Sequence, residues 1–181
     1  MKKHIVTIKN RTEELPVLQI GDNLSIAFFN LHGNVELTEH CATHIAQLVK
    51  QSGAQVILTA ESKGLQLAHC VAKILAHKFY AVARKSHKLY LQDGLKVTYA
   101  SITTKGEQSF YLSQADTNLL RGKIVAIIDD VISTGESIAA LENLCKQASA
   151  TIALKAAVLA EGNAATRNDI SFLATIPIFN Y

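Results

Sequence analysis

The sequence predicts an α/β fold with a mainly parallel, doubly wound sheet, and three features of the chain carry that prediction. Two nearly continuous apolar segments, AQVILTA at 54–60 and KIVAIIDD at 123–130, have the length and composition of strands buried on both faces. Each runs through a glycine-containing turn into a segment with apolar residues at helical spacing, LQLAHCVAKILAHK and GESIAALENLCKQA. Each helical pattern then gives way to another strand pattern, FYAVARK and TIALKAAVLAEG. Parallel strands need such a crossover, so a strand, helix, strand succession that occurs twice implies a parallel sheet.

With 181 residues, 49% of them apolar, the chain fits one domain over 1–181 with a substantial core. Ahead of the core, alternation in HIVTIK and LPVLQIGDNLSIAFF predicts short strands before residue 30, turning at Gly21-Asp22-Asn23, as a small appendage. A helix follows from Val35 to about Lys50, with Asn34 as its cap and Gly53 as its stop. Between the two βαβ units, residues 86–118 are polar and hold two alternating stretches, LKVTYASITT and EQSFYLS, around Lys105-Gly106. That pattern is a hairpin excursion, and a long excursion from a compact α/β core commonly serves as a lid or a specificity element.

The net charge is only +3 and the basic residues are scattered, so no nucleic-acid partner is expected. The local basic group Arg84, Lys85 and Lys88 suits a small anionic ligand instead. MKKHIVTIKN lacks the apolar stretch of a signal peptide and no later run reaches membrane-spanning length, so the expectation is a cytoplasmic protein with no membrane partner. Cys41, Cys70 and Cys145 are odd in number and widely spaced, as reduced thiols are. His40 and His44 have metal-ligand spacing but lack the glutamate of a zinc protease and a third ligand. His87 is read as a solvated loop residue, and Ser62 has no His and Asp partners evident in sequence.

The segment KIVAIIDDVISTGES carries the chemistry. Two adjacent carboxylates repel each other and resist burial, so a strand that ends in Asp129 and Asp130 needs a cation or a sugar to offset the charge. Ligands of open parallel sheets sit beyond the carboxyl ends of the strands, here 59–64, Arg84-Lys85 and 129–137. In the last of these, Ser133, Thr134 and Ser137 supply hydroxyls and Gly135 permits close approach of the backbone. The helix that follows presents free N–H groups and a positive dipole end, so the segment suits a phosphate monoester. The aspartates upstream are placed for sugar hydroxyls or a hydrated Mg²⁺. RGKI lacks the earlier glycine and the following hydroxyl of a P-loop, and no Gly-x-Gly-x-x-Gly occurs, which sets aside ATP hydrolysis and Rossmann dinucleotide binding.

VAIIDDVISTGES resembles, along its whole length, the phosphoribosyl-pyrophosphate motif of the type I phosphoribosyltransferases. TAESKG looks like the pyrophosphate loop of that family, ARKSHKLY like the Arg-Lys-x-x-Lys of its adenine and orotate members, and the likeness spans about residues 55–162. The resemblance implies a type I phosphoribosyltransferase-like sheet, a hood formed by strands from about 1–30 and the C-terminus, and a flexible hairpin lid at about 86–118. It implies that Asp129 and Asp130 bind the ribose 2- and 3-hydroxyls, directly or through Mg²⁺, and that Ser133, Thr134, Gly135, Glu136 and Ser137 hold the 5-phosphate. Glu136 fills a variable position of the motif, and its carboxylate must point away from the phosphate. Ala60, Glu61, Ser62, Lys63 and Gly64 would offer backbone N–H groups to the pyrophosphate, in a loop that in the family often contains a cis peptide. Arg84, Lys85 and Lys88 would neutralise the same group.

The implied activity is that of a purine phosphoribosyltransferase in base salvage. A base nitrogen attacks the anomeric carbon of phosphoribosyl pyrophosphate and expels pyrophosphate. Adenine is favoured by RKSHKLY, by Glu161 as an acceptor near an amino group, and by Phe28 and Phe29, where adenine members place a stacking phenylalanine. One of those two packs in the core, and Phe179 in the closing IPIF is a second candidate over the base. TAESKG is also similar to xanthine enzymes, and in place of the Asp and Lys of hypoxanthine-guanine members stand Ser133 and the Glu161-Gly162 region. The alternatives are a xanthine or orotate phosphoribosyltransferase, or a non-catalytic regulator of the same fold that senses phosphoribosyl pyrophosphate. The family resemblance implies a homodimer.

Overall fold

The computed structural model describes residues 2–86, 93–100 and 107–180. His87, Lys88, the SITT stretch and Lys105-Gly106 lie outside the described residues. The chain opens with the strands β1 (Lys3–Ile8), β2 (Arg11–Gly21) and β3 (Leu24–Ala27), then α1 (Val35–Ser52), β4 (Val56–Ala60), α2 (Leu65–Ile74) and β5 (Ala81–Ala83). The hairpin strands β6 (Leu95–Ala100) and β7 (Glu107–Leu112) follow, then α3 (Gln114–Leu120), β8 (Ile124–Ile132), α4 (Glu136–Gln147) and β9 (Thr151–Glu161). A 3-10 turn, Gly162–Thr166, leads to β10 (Ser171–Ile176) and β11 (Ile178–Asn180).

The strands β10, β9, β8, β4 and β5 lie side by side in that order, and every neighbouring pair is parallel. Successive residues of the central strands face opposite sides. Ile57, Ala126, Ile128, Ala156 and Val158 pack with α1 and α2. Leu58, Val125, Ile127 and Ala157 pack with Leu120 of α3 and Leu141 and Leu144 of α4. Helices therefore cover both faces, which is the reason the central strands read as continuous apolar runs. A second, antiparallel sheet of β1, β2, β3 and β11 forms the hood. Val6, Ile8, Leu15 and Ala27 tie it to the core beside α1.

α1 is capped as expected: Asn34 Oδ1 accepts from the Leu37 N–H at 3.1 Å, and Gly53 closes the helix at φ 71°. α2 stops at Ile74, short of the expected Lys78, because Ala76 turns left-handed at φ 56° and the His77 N–H bonds back to Ala72 O. α4 ends in the same way, with Ser149 at φ 57° and the Ala150 N–H on Cys145 O. Closure on Ala in place of Gly hides the end of α2 from the sequence, whereas α4 ends within a residue of the expected Ala148. β5 is confined to three residues of the seven expected, and Phe79 beside it is 70% exposed. The reading also missed β10 and α3, although SQAD at 113–116 is a capping pattern in which Ser113 Oγ accepts from the Asp116 N–H at 3.0 Å.

The hairpin of β6 and β7 pairs from Leu95 opposite Leu112 to Ala100 opposite Glu107. Its stem belongs to the core: Val97, Phe110 and Leu112 are buried, Tyr99 stacks on Phe110 with ring centroids 4.8 Å apart, and Arg84 and Tyr111 exchange backbone hydrogen bonds. Cys41 and Cys145 are buried free thiols, each raised to about 12 by burial, and Cys70 is half-buried and free. No helix among the described residues is long and apolar enough to cross a membrane. Ile57→Ala removes a fully buried side chain from the central sheet and should cost about 2–5 kcal/mol, measured by urea unfolding.

Candidate active site

From β4 the chain moves outward to β5, then returns to β8 and proceeds the other way through β9 and β10. The crevice where those directions diverge, at the carboxyl ends of β4 and β8, is where an open α/β sheet takes its ligand. The segments the sequence singled out meet there: 60–64 after β4, Lys85 after β5, 129–137 along and after β8, and Glu161 at the end of β9.

β8 does not end at the aspartates but continues to Ile132, still paired with β9, and Asp129 is half-buried and Asp130 buried within it. Asp130 is 5% exposed and its Oδ2 has no hydrogen-bond partner among the described residues. Asp129 Oδ1 accepts the Asp130 N–H at 2.9 Å. Neither carboxylate has an ion-pair partner among the described residues. Lys85 acts on Asp129 and Lys63 on Asp130 only through their charge. Burial raises both acids above the usual carboxylate range, and for Asp129 its neighbour's charge adds to the effect. The acids are thus held in a state that added positive charge or hydrogen-bond donors would relieve.

Around this pair lies a cleft with two lobes that share Asp129, Val131, Ser133, Ser137 and Glu161. The first lobe, about 470 Å³, has residues 133–137 along one side and Ile20, Leu24, Ile26 and Ile178 of the hood on the other. Gly135 stands at φ +87° and precedes the first turn of α4, which has no side-chain cap to occupy its amides. Ser133 and Ser137 are half-buried and Thr134 is exposed; Glu136 lines the same lobe.

The second lobe, about 310 Å³, is bounded by Ala60, Glu61, Ser62, Lys63, Lys85 and Phe28, among others. The Glu61-Ser62 peptide is cis. Gly64 is needed for space: a Cβ there would collide with Thr59 Oγ1 and stand 3.2 Å from Asp129 Oδ1. The Glu61 carboxylate is engaged as a tie, accepting from Arg84 Nη1 and from the Lys85 N–H, each at 3.0 Å. Arg84 is thereby turned toward Glu61, while Lys85 lines the lobe.

The base-contacting candidates separate. Both phenylalanines border the second lobe, but Phe28 is half-buried with Lys63 Nζ 4.9 Å from its ring centre, whereas Phe29 is 2% exposed and packs in the core. Glu161 is buried and shared by both lobes. Burial raises its carboxyl, while Ser133 and Lys63 oppose the rise. Phe179 is placed elsewhere, its ring 5.9 Å from that of His4 and under Lys2 Nζ. Alternation along β11 turns Ile178 into the first lobe instead. The sequence reading also missed Tyr99, whose hydroxyl lies beside Ser137 and feels Asp129 and Glu136, and which burial raises above its ordinary value. Period-two alternation in LKVTYA was the available signal, placing Val97 and Tyr99 together on the inner face.

Fold and site together define an α/β protein with a crevice at the switch point of its sheet, lined by adjacent aspartates and by a loop rich in hydroxyls and glycine. The sequence profile of the phosphoribosyl transferase domain matches residues 30–177, and the chain belongs to that family. It is 27% identical over 146 residues to the xanthine phosphoribosyltransferase of Bifidobacterium adolescentis, covering 80% of this chain and 75% of that one. It is 32% identical over 134 residues to that of Bacillus cereus strain AH187, covering 74% of this chain and 67% of the relative. In fold it is similar to the adenine phosphoribosyltransferase of Rhodothermus marinus, with a TM-score of 0.69 at 20% identity over 89% of this chain and 92% of the other.

A carboxyl raised by folding keeps its proton over a pH window in which the unfolded chain has lost it, so stability falls as pH rises through that window. Asp130→Asn should therefore melt above the wild type at pH 8, by roughly 2–4 °C for each kcal/mol relieved. The gap should close toward pH 4, as followed by thermal melts of the ligand-free protein.

Proposed function

We propose that the protein transfers the phosphoribosyl group of phosphoribosyl pyrophosphate to a purine base, giving the nucleoside 5′-monophosphate and pyrophosphate. The observation that carries this reading is the acidic pair with no ion-pair partner among the described residues, set between a glycine- and hydroxyl-rich loop and a second loop flanked by Lys63 and Lys85. In the reaction the bond from the anomeric carbon to pyrophosphate breaks, a base nitrogen forms the new bond, and that nitrogen gives up its proton. The charge that develops is positive on the sugar and negative on the leaving group. Asp129 and Asp130 face the first and Lys63 and Lys85 the second, so the barrier falls mainly by electrostatics.

The residues present fit a divalent cation. Asp130 Oδ2 is an orphaned buried acceptor, and Asp129 adjoins it. Among the described residues no group of three or more His, Cys, Asp or Glu could hold a metal alone. The two aspartates would therefore hold Mg²⁺ together with oxygens of substrate and water, and the ion would supply charge to the leaving pyrophosphate. Residues 133–137 bind the 5-phosphate, and Phe28, Val131 and Glu161 receive the base. The hairpin stem reaches the crevice through Phe110, which lines the second lobe, and sets the Tyr99 hydroxyl beside Ser137.

Adenine suits Glu161, a buried acceptor for an exocyclic amino group. Xanthine is the second reading, favoured by the relatives at 27% and 32% identity that carry its name. Pyrophosphate release with adenine, hypoxanthine, guanine, xanthine and orotate in turn decides between them. Release with none of the five would leave the sensing regulator of the same fold. The working assembly in this proposal is a cytoplasmic homodimer, which sedimentation of the purified protein checks.

Asp129→Asn and Asp130→Asn should each lower kcat by about 10²- to 10³-fold in the pyrophosphate-release assay. Phe28→Ala should act on the base alone, raising its KM about tenfold, the equivalent of about 1.4 kcal/mol, with the KM for phosphoribosyl pyrophosphate unchanged.

A further inference from the structure

Arg167, which the reaction as described does not use, follows the 3-10 turn after β9 and lies against the phosphate loop. Its Nε and Nη2 donate to the two carboxylate oxygens of Asp169 at 2.9 and 2.7 Å. Asp169 also accepts from Lys155, and Lys155 pairs with Glu142 of α4. The result is an alternating chain of two cations and two carboxylates with its positive end at the loop and its negative end on the helix that the loop begins. Asp169 is held below the usual carboxylate range by Arg167 first and Lys155 second, so the chain stays charged through neutral pH.

The third guanidinium nitrogen, Nη1, has no hydrogen-bond partner among the described residues and lies over Gly135. A Cβ at position 135 would overlap Nη1 and stand 3.3 Å from Cζ. Gly135 is favoured as glycine by its φ of +87°, and the Arg167 guanidinium packs where a side chain at that position would stand. Arg167 does not line either lobe of the cleft, so it acts from outside the cavity. Its planar head, fixed by the fork to Asp169, rests on a peptide in a way a lysine cannot reproduce.

Resting on the reading that residues 133–137 hold the 5-phosphate, we infer that Arg167 is a positioning residue for that loop. It braces the left-handed turn at Gly135 from behind and sets a fixed positive charge, oriented by Asp169, close to the bound ester. The inference concerns the phosphate end of the substrate and leaves the pyrophosphate end untouched, which separates it from a general contribution to folding.

Calorimetric titration of the full-length protein with ribose 5-phosphate and, separately, with pyrophosphate tests it. Arg167→Gln should weaken ribose 5-phosphate about tenfold and change pyrophosphate less than about twofold. Arg167→Lys, which keeps the charge and loses the fork, should fall between the wild type and Arg167→Gln. Asp169→Asn frees the guanidinium without removing it and should weaken ribose 5-phosphate about threefold, a second route if Arg167→Gln folds poorly. Arg121→Gln, which removes an exposed charge at the end of α3, controls for net charge and should change neither affinity. Equal loss of both ligands, no loss in Arg167→Gln, or identical effects of Lys and Gln would overturn the inference. A wild-type protein that binds no ribose 5-phosphate would overturn the phosphate-loop reading and this inference with it, whereas a failure seen in the variants alone overturns only the latter.

Discussion

The arrangement of this protein depends on two adjacent carboxylates, Asp130 buried and Asp129 half-buried, that have no ion-pair partner among the described residues. Water solvates carboxylates so well that removing it costs several kcal/mol per group unless charge or hydrogen bonds replace it. Here the replacement is incomplete. Asp129 takes one backbone N–H, Asp130 keeps an oxygen without a partner, and Lys63 and Lys85 act from a distance. The strand that holds them pairs with β4 up to Ile127 and runs on to Ile132 along β9, which fixes the backbone on both sides of the acids. Stability is conceded at the one place where a ligand can restore it.

The rest of the molecule shapes the space around that pair. The hood is fastened at both ends of the chain, because β11 pairs with β3 and brings Ile178 to the cleft beside Ile26. The floor is polar and the hood wall is aliphatic. In the proposed reaction this division suits a ligand with a charged ester at one end and an apolar ring face at the other. The stem of the hairpin supplies the remaining side, with Phe110 in the core and Tyr99 stacked upon it.

Much of this was legible in the chain. The central strands announce themselves because burial on both faces demands unbroken apolar runs, and α1 because Asn34 and Gly53 mark its ends. The loop proposed to hold the phosphate was legible because its features are local: hydroxyls, a glycine and a helix start follow one another within a few residues. The end of α2 was not, since Ala76 takes a conformation that sequence assigns to glycine. β10 was missed because SFLATI has the length of a strand but no preceding helix pattern to announce a crossover. Among the aromatic candidates, two phenylalanines in succession could be divided only by knowing which one the hood turns inward.

The sequence by itself determined most of the local elements, the parallel core and the clustering of acids, hydroxyls and glycine at 129–137, because each rests on periodicity or on neighbours within a single turn. Only the tertiary structure decided which charges face each other across the crevice. It ties Arg84 to Glu61 and leaves Lys85 at the cleft, sends Ile178 inward and Phe179 outward, and brings Arg167 to rest on Gly135, 32 residues away. Such contacts join segments that are remote in the chain, and their distances follow from how sheet, hood and helices pack, which no local pattern encodes.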